Sequence, residues 1–286
     1  MGSQNFVAIL SHLGILRFTG LDAEAFLQGQ LSCDVGRIGP GSIGDGAYCS
    51  PKGRMLANFL LWRREDGFAM ILSRDLAGSV HKHILKFVLR SKVKVADESE
   101  AIALVGAAGA EAERKLRGVS VRLKDGRLLC ALPAGDVPDA LRGMQVAEAS
   151  LWRWLDIRRG LPLVTAATQD QFVPQMANLE LLGGVSFEKG CYTGQEIVAR
   201  AQHLGKVKRR MFLANVSAPA RAGDPLYSED LGDQTGGTVL NAEASPDGGY
   251  DLLAVVQAAS RERSTFHHGS PGGPTLRFLP LPYAVA

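Results

Sequence analysis

The sequence predicts an α+β fold with antiparallel sheets of ferredoxin-like type, followed by a small all-β module. Three observations predict it. Hairpins and helices interleave along most of the chain without the sustained strand–helix–strand rhythm of a parallel sheet. One amphipathic helix, at 75–89, is far clearer than any other. After Gly205 the helical pattern stops, and short apolar runs alternate with turn-forming clusters.

The elements follow in order. Residues 14–18 alternate weakly and end at Gly20, which reads as a strand and turn. Asp22 is placed to cap a helix running to Leu31, with Phe26 and Leu27 on its apolar side. Residues 55–62 are apolar and strand-like, 64–67 (Arg-Glu-Asp-Gly) form a turn, and 68–72 return, which makes a hairpin. In the helix at 75–89, Leu76, Val80, Ile84, Phe87 and Val88 recur at three- and four-residue steps. Strands are expected at 92–95, 102–105 and 128–132, with a helix at 111–117 between them. A helix at 151–159 is closed by Gly160 and Pro162. Residues 165–190 are loop-rich, and 196–201 form a short helix or strand. Apolar runs at 211–216, 238–240, 252–256 and 276–279 make the C-terminal barrel. The domains read as 1–204 and 205–286.

Composition narrows the function. Apolar residues at 46% and charged residues at 21% exclude a disordered or collagen-like chain. A net charge of +3 gives no whole-surface nucleic-acid footprint and leaves a local basic patch open. Cys33, Cys49, Cys130 and Cys191 form no CxxC pair, so neither a disulfide framework nor a zinc finger is indicated. No basic region precedes the first apolar residues, and Phe6 breaks the myristoylation pattern that Met1-Gly2 invites. No apolar run approaches the roughly 18 residues of a membrane span. The expectation is a soluble cytoplasmic protein with reduced thiols, no membrane partner and no metal site.

The segment Lys189-Gly190-Cys191-Tyr192-Thr193-Gly194-Gln195-Glu196 carries the chemistry. Lys189, two residues before Cys191, favours the thiolate, the form that attacks and ligates. Gly190 and Gly194 let the backbone take positive φ or approach a ligand closely. Gln195 and Glu196 add a neutral and an anionic hydrogen-bonding group. A tight turn around a buried cysteine would need the same residues. Trp152 and Trp154 have faces suited to an aromatic ligand, and equally to a helix core. Arg200, Lys206, Lys208, Arg209 and Arg210 form a basic run suited to carboxylates, RNA phosphates or a solvated linker. His81 and His83 face different sides of their helix, and His267-His268 reads as a flexible surface pair.

Upstream of the cysteine lie Gln171-Phe172-Val173-Pro174-Gln175-Met176-Ala177-Asn178-Leu179 and Gly183-Gly184-Val185-Ser186-Phe187-Glu188. With the cysteine segment these resemble the signature of the YgfZ-type folate-binding proteins. That family is related to the aminomethyltransferase (T-protein) of glycine cleavage, and it includes a mitochondrial iron–sulfur assembly factor. The resemblance is strongest over 158–210. It echoes at 26–31 with Asp34 and at 51–55, and is absent from about 98 to 147.

The resemblance implies two ferredoxin-like lobes in an aminomethyltransferase-like folate-binding unit plus a C-terminal β-barrel, ring-like, with tetrahydrofolate in the central hole. It implies an accessory protein that supports assembly or repair of iron–sulfur clusters. Its clients would include the radical enzymes that methylthiolate tRNA. Cys191 is the expected functional thiol. The expected folate contacts are Trp154, Gln175, Asn178, Lys189, Tyr192, Gln195, Glu196 and Arg200. Two departures from the T-protein pattern stand out. Where those enzymes carry an Asp that assists the folate nitrogen, this chain has Ala57-Asn58, and neither ionises as an acid. Arg158 stands where they carry a pterin-binding carboxylate. The alternative, a tetrahydrofolate-dependent aminomethyl or one-carbon transferase, is disfavoured by the first departure. A cysteine hydrolase lacks any motif that links a histidine to Cys191.

Overall fold

The computed structural model describes residues 5–203 and 207–285. Gly2 of the Met-Gly pair, the boundary at Gly205 and Lys206 of the basic run lie outside the described residues. The chain divides into two compact units, Met1–Gly46 with Phe59–Trp152, and Ala47–Asn58 with Arg153–Ala286. The chain therefore leaves the first unit inside the strand Ile43–Cys49 and returns to it inside the strand Met55–Arg64.

The α+β class holds. One five-stranded sheet runs in the order Val146–Ala147, Phe6–Ile9, Ile102–Ala108, Leu128–Pro133, Val119–Arg122. Its core gathers Val7, Val105, Ala107, Cys130 and Leu132. Trp152 packs so closely on this sheet that a Cβ at Gly106 would lie 2.3 Å from its ring. The Arg127 guanidinium stacks on the same indole at 4.0 Å. The strand Phe6–Ile9 is four residues long, too short for a period to be read from sequence.

The other five-stranded sheet has the order Ile43–Cys49, Met55–Arg64, Gly67–Ser73, Leu13–Thr19, Lys94–Asp97. The helix Arg74–Val88 packs its apolar stripe of Leu76, Ala77, Val80 and Ile84 inward, as the periodicity requires. Together with their helices, these sheets make the two ferredoxin-like lobes.

Within the second unit, Phe266–His268, Pro225–Ser228, Thr235–Ala244, Tyr250–Gln257, Arg209–Val216 and Arg277–Leu279 form one six-stranded sheet in that order. Its outermost strands curl toward each other: the Phe266 and Phe278 rings meet edge to face at 5.8 Å. The C-terminal apolar runs, expected to make a barrel, form this half-barrel. His267 and His268 are not a flexible surface pair. They sit in a strand, with His268 buried against Asp224 at 2.8 Å and His267 Nδ1 2.8 Å from the Gly273 carbonyl.

Candidate functional site

Cys191 and the expected folate contacts all lie in the second unit, while Trp152 closes the first. They fall into two groups.

The first group is buried scaffold. Val173 is extended before Pro174, and one 3-10 turn, Pro174–Ala177, ends at Asn178 with φ 56. Asn tolerates this left-handed conformation better than most residues. Gln175 and Asn178 are both 0% exposed. Gln175 Nε2 donates to the Val198 carbonyl at 2.7 Å, and Asn178 Nδ2 donates to the Met211 carbonyl at 2.8 Å. The two amides thus fix the turn to the helix Gln195–His203 and to the first strand of the half-barrel. Arg210 donates to the Gln175 carbonyl at 2.9 Å and ion-pairs with buried Glu180. This cation of the sequence's basic run is therefore internal and unavailable to phosphates.

The second group is the loop from Ser186 into the helix Gln195–His203. Gly194 has φ +83, and a Cβ there would lie 2.4 Å from the Ser50 carbonyl oxygen and 2.8 Å from Gly53 Cα. Gly53 in turn has φ +70. Two segments far apart in sequence, Pro51-Lys52-Gly53-Arg54 and the cysteine motif, therefore cross backbone to backbone, and glycine is the residue that permits it. Asp170 anchors the same corner. Its carboxylate accepts from Ser50 Oγ at 2.8 Å, and its carbonyl accepts from Arg54 at 3.2 Å. A Cβ on Gly190, by contrast, would meet nothing within 4 Å.

Cys191 is the one exposed cysteine; Cys33, Cys49 and Cys130 are buried. Burial raises the Cys49 thiol to about 12 and the Cys130 thiol to about 11, which keeps both protonated and unreactive at neutral pH. Beside Cys191, the Lys189 ammonium lies 5.2 Å over the ring of buried Tyr192. Gln195 is half-buried at the start of the helix, while exposed Glu196 pairs with Arg200 one turn on at 3.5 Å. His203, the histidine nearest in sequence, sets its ring edge-on to Phe187 at 5.6 Å. Among the described residues no group of three or more His, Cys, Asp or Glu could hold a metal ion. The arrangement presents a solvent-accessible thiol on a loop that also carries Lys189 and Gln195.

Trp154 and Asn58 have structural partners. Trp154 is 6% exposed, and its Nε1 donates to Asp251 Oδ2 at 2.8 Å. Asp251, itself buried, also accepts from Asn215 Nδ2 at 2.8 Å and Ser245 Oγ at 3.2 Å, and Arg158 lies 3.5 Å away. The sequence carries no signal for Asp251, which stands in an ordinary strand; only its register opposite Asn215 places it. Asn58 Nδ2 donates to the Pro162 carbonyl, and its Oδ1 accepts from the Val164 N–H, both at 2.7 Å. An amide satisfies both partners there, and a carboxylate would meet a carbonyl.

No family model matches the chain. Relatives do. The tRNA-modifying protein YgfZ of Enterobacter sp. (strain 638) is 35% identical, over 96% of this chain and 92% of that protein. The tRNA-modifying proteins YgfZ of Sodalis glossinidius and Escherichia coli O7:K1 are 32% and 34% identical over the same shares. Among solved structures, the glycine cleavage system aminomethyltransferase T of Bartonella henselae matches 97% of this chain and 85% of its own, with TM-score 0.78 at 17% identity. That likeness concerns the fold alone. No helix among the described residues is long and apolar enough to cross a membrane.

Proposed function

The chain belongs to the YgfZ family, and from that premise we propose that it is a folate-binding accessory protein in tRNA modification, supporting assembly or repair of the iron–sulfur clusters of the enzymes concerned. The observation that carries the reading is likeness over 96% of the chain to proteins named for tRNA modification. An aminomethyltransferase fold without an ionisable side chain at Ala57-Asn58 supports accessory work over aminomethyl transfer.

Tetrahydrofolate suits the exposed chemistry. Lys189 and Arg200 are cations placed for its carboxylates, and the amide of Gln195 complements its polar groups. Gln175, Asn178 and Tyr192 would act from beneath, by holding this loop in shape. Trp154, committed to Asp251, would shape the site from within the helix core. The folate supplies one-carbon and redox chemistry when bound; Cys191 supplies the accessible thiol. Client enzymes, a tRNA methylthiotransferase among them, and a reducing cytoplasmic setting belong to the same proposal.

Two measurements test it separately. Calorimetric titration with tetrahydrofolate should give saturable binding that weakens in Lys189→Gln, and no heat at millimolar ligand removes folate from the reading. A deletion strain carrying Cys191→Ala should lose methylthiolated tRNA. Normal tRNA and normal iron–sulfur enzyme activity in that strain would refute the role of the thiol.

A further inference from the structure

We infer that the C-terminal end of the helix Arg74–Val88, with the turn that follows it, binds unpaired nucleotides of an RNA. Residues 76–96 contain no Asp or Glu but hold Lys82, Lys86, Arg90, Lys92 and Lys94, all five exposed. The whole chain has a net charge of only +3, so the remainder is acidic on balance. None of these five side chains forms an ion pair with a described residue. Lys82 and Lys86 stand one turn apart on the helix, about 6 Å along its axis. Arg90, Lys92 and Lys94 continue the positive run past its end.

The same corner exposes apolar side chains, among them Phe87, whose ring meets His83 edge to face at 5.3 Å. Leu21 is 88% exposed, Leu89 87%, Leu85 45% and Phe87 40%. Leu89 holds a strained backbone, φ 44, at the helix C-cap, where glycine is the usual residue. Its side chain gains no packing in return. The turn is held firmly: the Lys92 N–H donates to Asp22 Oδ2 at 2.7 Å. At Gly20 (φ +111) the two loops come so close that a Cβ would lie 2.2 Å from the Lys92 carbonyl oxygen. Between them lies a shallow depression of about 730 Å³ lined by Asp22, Phe87, Leu89, Arg90 and Ser91.

An apolar depression beside unpaired cations suits a splayed-out base. The base face packs on Phe87 and the Arg90 plane, Asp22 and Ser91 meet its polar edge, and Lys86, Lys92 and Lys94 take the flanking phosphates. Phosphate binding alone would not use the apolar floor, and a flat bilayer would not fill a depression. The basic run after the cysteine motif is less suited, since its Arg210 is internal and paired with Glu180. The inference is independent of folate binding.

The test uses the full chain and an unmodified tRNA transcript, followed by fluorescence anisotropy between 50 and 200 mM KCl. The transcript should bind with a steep salt dependence and more tightly than a fully paired duplex of equal length. Lys86→Gln/Lys92→Gln/Lys94→Gln should weaken binding at least tenfold and flatten the salt slope by about two, at about 0.7 per single-strand phosphate contact. Phe87→Ala/Leu89→Ser should weaken binding severalfold with the slope unchanged. Lys115→Gln/Arg142→Gln/Arg263→Gln, an equal charge change elsewhere on the surface, should bind as the wild type does. Equal losses from both charge triples, no binding at micromolar protein in 50 mM KCl, or retention of anionic phosphatidylglycerol vesicles in place of RNA each overturns the assignment.

Discussion

The turn 173–180 and the loop 186–196 carry the same family signature, yet they are built in opposite ways. The turn is buried, and its amides are tied to carbonyls of neighbouring elements. The loop is mostly half-buried or exposed, and it is pinned where Gly194 crosses Gly53, where Tyr192 is buried and where Phe187 meets His203. A family signature therefore mixes residues that hold a site with residues that face its ligand. Burial and hydrogen-bond partners separate the two kinds, and residue type does not.

The sharpest way to break the comparison is to damage scaffold far from the loop. Asp251→Ala leaves the Trp154 and Asn215 donors and Arg158 without their buried acceptor. It should destabilise the protein by about 3 kcal/mol in urea denaturation, while Cys191 alkylates as before in the fraction that stays folded. A change under about 1 kcal/mol would show that Asp251 is not structural.

The two motif glycines offer a finer contrast. Gly194→Ala adds a Cβ 2.4 Å from a carbonyl oxygen at φ +83 and should cost about 2–3 kcal/mol. Gly190→Ala faces open space and should stay within about 0.5 kcal/mol. Equal effects would remove the claim that Gly194, and not Gly190, is needed for the crossing with Gly53.

The cysteines differ next. Cys49 is held protonated by burial, with a pKa of about 12 against 9.0 when unfolded. A raised folded pKa gives stability that is complete below pH 9 and is lost as pH climbs toward 12. Cys49 should therefore contribute a decline of about 1.4 kcal/mol per pH unit across that window, on top of the one that Cys130 contributes between pH 9 and about 11. The decline should be shallower in Cys49→Ala and unaltered in Cys191→Ala. Smallest of all, Cys191→Ala should leave stability at neutral pH within about 0.5 kcal/mol, since its side chain is exposed. Iodoacetamide should label one thiol in the native wild type and none in that variant.

The periodic part of the fold was legible. The helix expected at 75–89 spans Arg74–Val88, and the hairpin around 64–67 stands as read. The family was legible too, because Lys189 to Glu196 is a specific string. The roles within the site were not. Trp154 reads equally as ligand platform or helix core until Asp251 is found beneath its N–H, and that partner lies across the register of a distant strand. Arg210 reads as part of a free basic run until Glu180 is seen beside it. Local sequence carries periodicity and turn chemistry, while partners from distant segments are set by topology.

The links from Asn178 to Met211, from Glu180 to Arg210 and from Trp154 to Asp251 all span residue 205 in sequence. A gene cut there would sever three buried partnerships at once. For inheritance, the half-barrel is thus not a cassette that recombination could trade for another barrel. Swaps between relatives should succeed only when the turn 173–180 and the strands Arg209–Val216 and Tyr250–Gln257 travel together.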